Sequence, residues 1–298
     1  MREAEAHQSV QALATSLGSL PPEFVRPEQE QPGATTFPGA AAPDAPVIDM
    51  SAPGSGEGIA AAARECGLFQ VVNHGVPPAA VAELQRVGRA FFALPQAEKQ
   101  RHAMDPASGK IEGYGTKLQR DLDGKKTWND FFFHVVAPPA MVDHGIWPAS
   151  PDGYREANEE YCRHMQRLTR DLFEHLSLGL GLDKGAMATV TILVPNDVQG
   201  LQVFRDGHWY DAKYVPDALI VHIGDQIEIF SNGEYKAVLH RTTVNKEKTR
   251  MSWPVFVEPP GELVVEPHPK LVSDDSPAKY KAKKYKDYQH CKINKLPM

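Results

Sequence analysis

Cysteine is scarce in this chain: Cys66, Cys162 and Cys291 are the only three in 298 residues. Their number is odd, their spacing is wide and no Cys-x-x-Cys pair occurs. That pattern speaks against a disulfide framework or a zinc knuckle and makes a reducing cytosol the expected setting. Long apolar runs are missing, so no segment reads as a membrane span. The opening MREAEAHQSV carries Glu3 and Glu5 and no apolar stretch, so no secretory or transit peptide is expected there. Basic charge is not in excess either. Lys and Arg number 32 against 38 Asp and Glu, a net charge of −6, which gives no general pull toward nucleic acid or an anionic membrane. No internal repeat is present.

What remains is ordinary globular composition, 42% hydrophobic and 23% charged. Val10, Leu13, Leu17 and Leu20 have helical spacing, which predicts a short amphipathic helix stopped by Pro21-Pro22. Residues 26–46 read as an extended arm. PVIDMS (46–51) and Gly67–Val72 read as strands, with a small-residue helix at Gly58–Cys66 between them. A helix is expected from Pro78 to Phe92, and a longer one over roughly 153–178, capped by Asp152 and ended by Gly179 and Gly181.

From Thr189 the hydrophobic period becomes two. TVTILVP, GLQVF, HWYDAKYV, ALIVHIGDQIEIF, YKAVLHRTTV and RMSWPVFVEP read as successive strands, with breaks such as Asp206-Gly207 and Asn232-Gly233. A helical first half and an antiparallel second half predict a mixed α and β fold, a sandwich or barrel with helices on one face.

His240, Arg250 and Ser252 flank the turn at Asn245–Thr249, which predicts that they lie on two neighbouring antiparallel strands. Arg250, Ser252, Pro254, Phe256 and Glu258 then share a face that is expected to point inward, with Met251, Trp253, Val255 and Val257 on the other. A buried Arg needs an acid partner, and its planar fork matches a carboxylate with a Ser hydroxyl adding a bond. A neutral His beside them can hold a metal. Each residue alone is more often structural, and the case rests on the three together. The run Phe131-Phe132-Phe133 is core packing by default, with Phe131 and Phe133 together on any pocket-facing side. The Lys-rich tail around Lys279–Tyr288 reads as a solvated helix over the barrel rather than a nucleic-acid site.

The stretches PVIDMS, GLFQVVNHGVP, IEGYGTKLQ, WNDFFFH, VPNDVQGLQVF, ALIVHIGDQIEI, SNGEYKAVLHRTTVNKEKTRMSWPVF and KYKDY…KINKLP resemble plant 2-oxoglutarate- and Fe(II)-dependent dioxygenases of flavonoid metabolism. The resemblance runs over nearly the whole chain and is strongest to the flavonol synthase group, with leucoanthocyanidin dioxygenase next. It implies a double-stranded β-helix (jelly roll) core with an N-terminal helical layer. It implies Fe(II), 2-oxoglutarate as co-substrate, ascorbate and a flavonoid substrate. His240 matches an iron ligand, Arg250 and Ser252 the pair that holds the distal carboxylate of 2-oxoglutarate, and Phe131, Phe133, Phe256 and Glu258 positions lining the flavonoid pocket.

One part of that pattern is missing. The resemblance implies a 2-His-1-carboxylate iron site, two of whose ligands form a His-x-Asp motif. None of the twelve histidines is followed two residues later by Asp or Glu. The implied hairpin carrying that motif is absent between the end of the long helix near Gly181 and TVTILVP, with the seam at Ala188–Thr189. His222 and Asp225 of HIGD are the only tempting substitutes. The expected layout is an N-terminal helix and arm (1–45), an N-terminal dioxygenase region (46–146), the long helix and seam (147–188), a truncated, incomplete barrel (189–262) and a tail (263–298). Loss of strands predicts exposed sheet edges, self-association and impaired catalysis.

Overall fold

The computed structural model describes residues 9–28, 31, 44–105, 108, 110–116, 126–187, 190–245, 247–294 and 296. The seam at Ala188–Thr189 and most of the arm expected over 26–46 lie outside the described residues. In chain order the elements are helix α1 (Val10–Ser16), strand β1 (Val47–Asp49), α2 (Ser55–Glu65), β2 (Leu68–Val72), α3 (Pro78–Ala93) and α4 (Gln96–Gln100). Then follow β3 (Gly113–Gly115), β4 (Phe131–Phe133), α5 (Tyr154–Gly179), β5 (Val190–Pro195), β6 (Leu201–Arg205), β7 (His208–Asp211) and β8 (Leu219–His222). The chain continues with α6 (Asp225–Phe230), β9 (His240–Thr242), β10 (Ser252–Val257), β11 (Val264–Val265), β12 (Lys283–Lys284) and α7 (Tyr285–Asn294). Contacts divide it into two compact units, one of residues 1–28, 79–163 and 291–298, the other of 29–78 and 164–290.

The first unit is built on aromatic packing. Val87 and Phe91 from α3 meet Tyr114 from β3, Trp147, and Tyr154 from α5. Phe132 of β4 packs into this cluster, its ring centre 4.7 Å from that of Phe91. Alternation along β4 therefore sends Phe131 and Phe133 to the other side of the strand. Helix α1 begins where two acceptors satisfy its free amides. Ser9 Oγ accepts from Ala12, and the Asp130 carboxylate accepts from Val10 and Gln11 at 2.8 and 2.9 Å. The helix ends at Ser16, well before the prolines expected to stop it, and Leu17 and Leu20 are exposed. Only Val10 of that stripe is buried, so the cap rather than an apolar face holds the helix.

The second unit holds two sheets. Five strands run in the order β1-β2-β8-β5-β10, antiparallel except for the β1–β2 pair. Three more run in the order β7-β6-β9. Leu68, Leu193 and Ile220 from the first sheet and Leu201 and Val203 from the second pack into one cluster, so these faces form the core between the sheets. Each fully buried aliphatic there contributes roughly 1.5–3 kcal/mol. The β6–β7 hairpin turns on Asp206 and Gly207, both with positive φ (49° and 81°), the two-residue turn whose twist suits a hairpin.

Two expectations about strands are corrected here. His240 and Arg250 do not lie on paired neighbours: β9 pairs with β6 in one sheet, and β10 pairs with β5 in the other. The chain crosses between sheets at each step from β5 to β6, β7 to β8, β8 to β9 and β9 to β10, and a turn between strands does not imply that they pair. The run ALIVHIGDQIEIF is not one strand either. It breaks at Gly224, the residue capping α6, where Asp225 and Glu228 sit in the first turn and favour a helix start.

Among the described residues no helix is long and apolar enough to cross a membrane.

Candidate functional site

His240 opens β9 and is exposed. Its Nδ1 lies 3.3 Å from the Val238 carbonyl oxygen, so the Nδ1–H tautomer donates there and leaves the Nε2 lone pair free. His222 closes β8 on the facing sheet and is buried, 5% exposed. The two rings are 4.7 Å apart, centre to centre, and inclined at 56°. Burial, with a smaller contribution from the neighbouring His240, pushes the His222 imidazole down to about 3, so it is neutral at ordinary pH. Its Nδ1 has no hydrogen-bond partner among the described residues.

Arg250 precedes β10. The backbone around it is pinned by Asn196, whose amide N–H donates to Met251 O and whose Nδ2 donates to Thr249 O. The guanidinium donates from Nη2 to Tyr214 Oη at 3.1 Å, while its buried Nε has no acceptor among the described residues. An unsatisfied buried N–H costs about 1–3 kcal/mol, and a bound carboxylate would remove that cost. Gly200 makes room for this side chain. A Cβ there would stand 2.9 Å from Arg250 Cδ and 2.8 Å from Thr243 O. Ser252 is half-buried, opposite Pro195 in the ladder.

The remaining expected residues are spread out. Phe131 and Phe133 are half-buried in the first unit. On β10 the expected inward face is the more open one beyond Ser252: Pro254, Phe256 and Glu258 are exposed, while Trp253, Val255 and Val257 are half-buried. Phe256 is 48% exposed, and Glu258 accepts a hydrogen bond from Gln289 at 3.3 Å. The ladder sets Ser252, Pro254 and Phe256 opposite Pro195, Leu193 and Thr191, and Leu193 packs in the core between the sheets, so this face is turned toward the second sheet as expected but is left uncovered there. Tyr214 and Gly200 were not anticipated as parts of the clamp. Gly200 lies within VPNDVQGLQVF but offers no side chain to mark it, and only the fold brings it and Tyr214 to Arg250. A cavity of about 320 Å³ in the second unit is lined by Leu68, Val203, Tyr210, Ala212 and Val238 among others, but by none of His222, His240, Arg250 or Ser252.

The donor set does not fit a three-ligand ferrous centre. Among the described residues no group of three or more His, Cys, Asp or Glu side chains is placed to hold a metal ion. His222 and Asp225 do not fill the gap, because Asp225 sits in the first turn of α6 and accepts a hydrogen bond from Tyr288.

Two family models match the chain. Residues 45–151 match the N-terminal region described as that of a non-haem dioxygenase in morphine synthesis, and residues 164–259 match the 2OG-Fe(II) oxygenase superfamily. Flavonol synthase 1 of Crocosmia x crocosmiiflora is 51% identical, covering 99% of both chains, and leucoanthocyanidin dioxygenase of Malus domestica is 36% identical, covering 94% of each. The Crocosmia alignment runs over 335 positions against 298 residues here, so at least 37 of its positions have no counterpart in this chain. Among solved structures, JOX2 in complex with 2OG, Fe and JA superposes with a TM-score of 0.86 at 31% identity, covering 97% of this chain and 94% of that one. The two facing sheets are thus a jelly roll, with an internal stretch missing relative to its relatives. The chain belongs to the 2-oxoglutarate/Fe(II) oxygenase superfamily and is a flavonol-synthase-like member of it.

Proposed function

We propose that this chain keeps the flavonol-synthase fold and its carboxylate clamp but has no working ferrous centre, so that it binds 2-oxoglutarate and a flavonoid without oxidising them. The observation that carries this reading is the contrast between two halves of one site. Arg250 is half-buried and hydrogen-bonded to Tyr214, and its buried Nε–H has no acceptor among the described residues. His240, by contrast, has His222 beside it but belongs to no group of three His, Cys, Asp or Glu side chains able to hold a metal among the described residues. Arg250 and Ser252 would take the distal carboxylate of 2-oxoglutarate, and His240 is what remains of the metal set. Phe131, Phe133, Phe256 and Glu258 are the positions we assign to the flavonoid. The exposed ends of the two sheets further support weak self-association.

The second reading, an active dioxygenase acting on dihydroflavonols, is favoured by 51% identity to a flavonol synthase over nearly all of the chain. One assay separates the two. The purified chain is given Fe(II), ascorbate, 2-oxoglutarate and dihydroquercetin, and succinate and flavonol are measured. The expected result is no turnover, together with 2-oxoglutarate binding that Arg250→Ala abolishes. Turnover that disappears in His240→Ala would overturn the proposal.

A further inference from the structure

We propose that His222 and His240 form a two-nitrogen chelate for a divalent cation from late in the first transition row, Cu(II) foremost. An imidazole nitrogen bonded to such a cation at about 2.0–2.1 Å places the ring centre about 3.2 Å from it. Two such spokes whose ends are 4.7 Å apart enclose an angle of roughly 95°. That is the angle between adjacent corners of a square plane. A tetrahedral site would need ring centres about 5.2 Å apart. Square-planar and tetragonal nitrogen–oxygen sites select Cu(II) or Ni(II), and the affinity order of the row puts Cu(II) above Fe(II).

The surroundings agree with that use. His222 comes from β8 and His240 from β9, so the pair bridges the two sheets. Its exposed member, His240, opens to solvent, from which the cation and its remaining water ligands would arrive. His240 already directs Nδ1 to the Val238 carbonyl, the outer hydrogen bond that fixes a metal-binding imidazole. The Nδ1 of His222 is a buried nitrogen with no partner among the described residues, and coordination through it would supply one. Among the described residues no third His, Cys, Asp or Glu side chain joins the pair, so hard cations and Fe(II) should be held weakly.

The test is a titration of the full chain with Cu(II), followed by calorimetry and electron paramagnetic resonance. The expected result is one tight site per chain with an axial spectrum split by two nitrogens. His240→Ala, at an exposed position that leaves the core intact, should weaken this site about tenfold or more, and His222→Asn should do the same. His208→Ala, at an exposed histidine on β7, should leave it unchanged. Equal Cu(II) affinity in the wild type and His240→Ala, or a spectrum split by a single nitrogen, would overturn the proposal. Should His222→Asn fail to fold, the nitrogen count of the wild-type spectrum decides alone. Loss of 2-oxoglutarate binding in Arg250→Ala is a separate readout, so this inference and the proposed function stand or fall independently.

Discussion

Arg250 Nη2 donates to Tyr214 Oη at 3.1 Å, which ties the guanidinium to the segment between β7 and β8 and leaves Nε pointing at no acceptor among the described residues. Tyr214 would therefore position the guanidinium of the proposed clamp. Tyr214→Phe should cost about 1 kcal/mol of 2-oxoglutarate affinity, the worth of one hydrogen bond. Arg250→Lys should cost more, because a point charge cannot match the carboxylate fork. Calorimetry without added metal measures both, and unchanged affinity in Arg250→Lys would remove the clamp from the account.

Gly200 sits where a side chain has no room. An added methyl would meet Thr243 O at 2.8 Å and Arg250 Cδ at 2.9 Å, and the first of these is backbone. Gly200→Ala should destabilise the fold by about 1–3 kcal/mol and weaken 2-oxoglutarate binding. Denaturant unfolding reads the first effect and calorimetry the second.

His134 supplies a pH signature for the first unit. It packs against Trp147, ring centres 4.3 Å apart, with Nε2 3.1 Å from Tyr154 Oη. Burial drives its imidazole down to about 4 from an ordinary 6.5. Above pH 6.5 the ring is neutral in both folded and unfolded chains, and its contribution to stability is complete. Between 6.5 and 4 the unfolded chain gains a proton that the fold refuses, so stability falls by on the order of 1 kcal/mol per pH unit. His134→Phe should flatten that part of the stability profile. A slope unchanged in the variant would show that other groups carry it.

Strands β9 and β10 end their sheets. Apolar side chains lie near them, with Leu239 67% and Val244 63% exposed. Replacing both with lysine should shift the chain toward monomer in sedimentation velocity, since charge at a sheet edge opposes pairing between copies. A wild-type chain that is already monomeric at high concentration would contradict the self-association reading.

Local patterns in the sequence carried a good part of the fold. The apolar stripes of α3 and α5 and the Asp206-Gly207 turn between β6 and β7 were all legible, because each is set by neighbours a few residues away. The alternation that put Phe131 and Phe133 opposite Phe132 was legible for the same reason. What failed was the step from strands to sheets. Asn245–Thr249 was read as a hairpin turn, yet β9 and β10 belong to different sheets, and no local signal distinguishes a hairpin from a crossover. The helical turn at Asp225–Phe230 was hidden in a run of strand-forming residues. In the site, His240, Arg250 and Ser252 were visible as an unusual set, whereas Tyr214, Gly200 and the ring pairing of His222 depend on long-range folding.

Survival of a carboxylate clamp without a ferrous centre can be read from anaerobic titration of the purified chain with Fe(II) in the presence of saturating 2-oxoglutarate. The expected result is 2-oxoglutarate binding that does not depend on iron, with no stoichiometric, tight Fe(II). One equivalent of tightly held Fe(II), lost on His240→Ala, would contradict it.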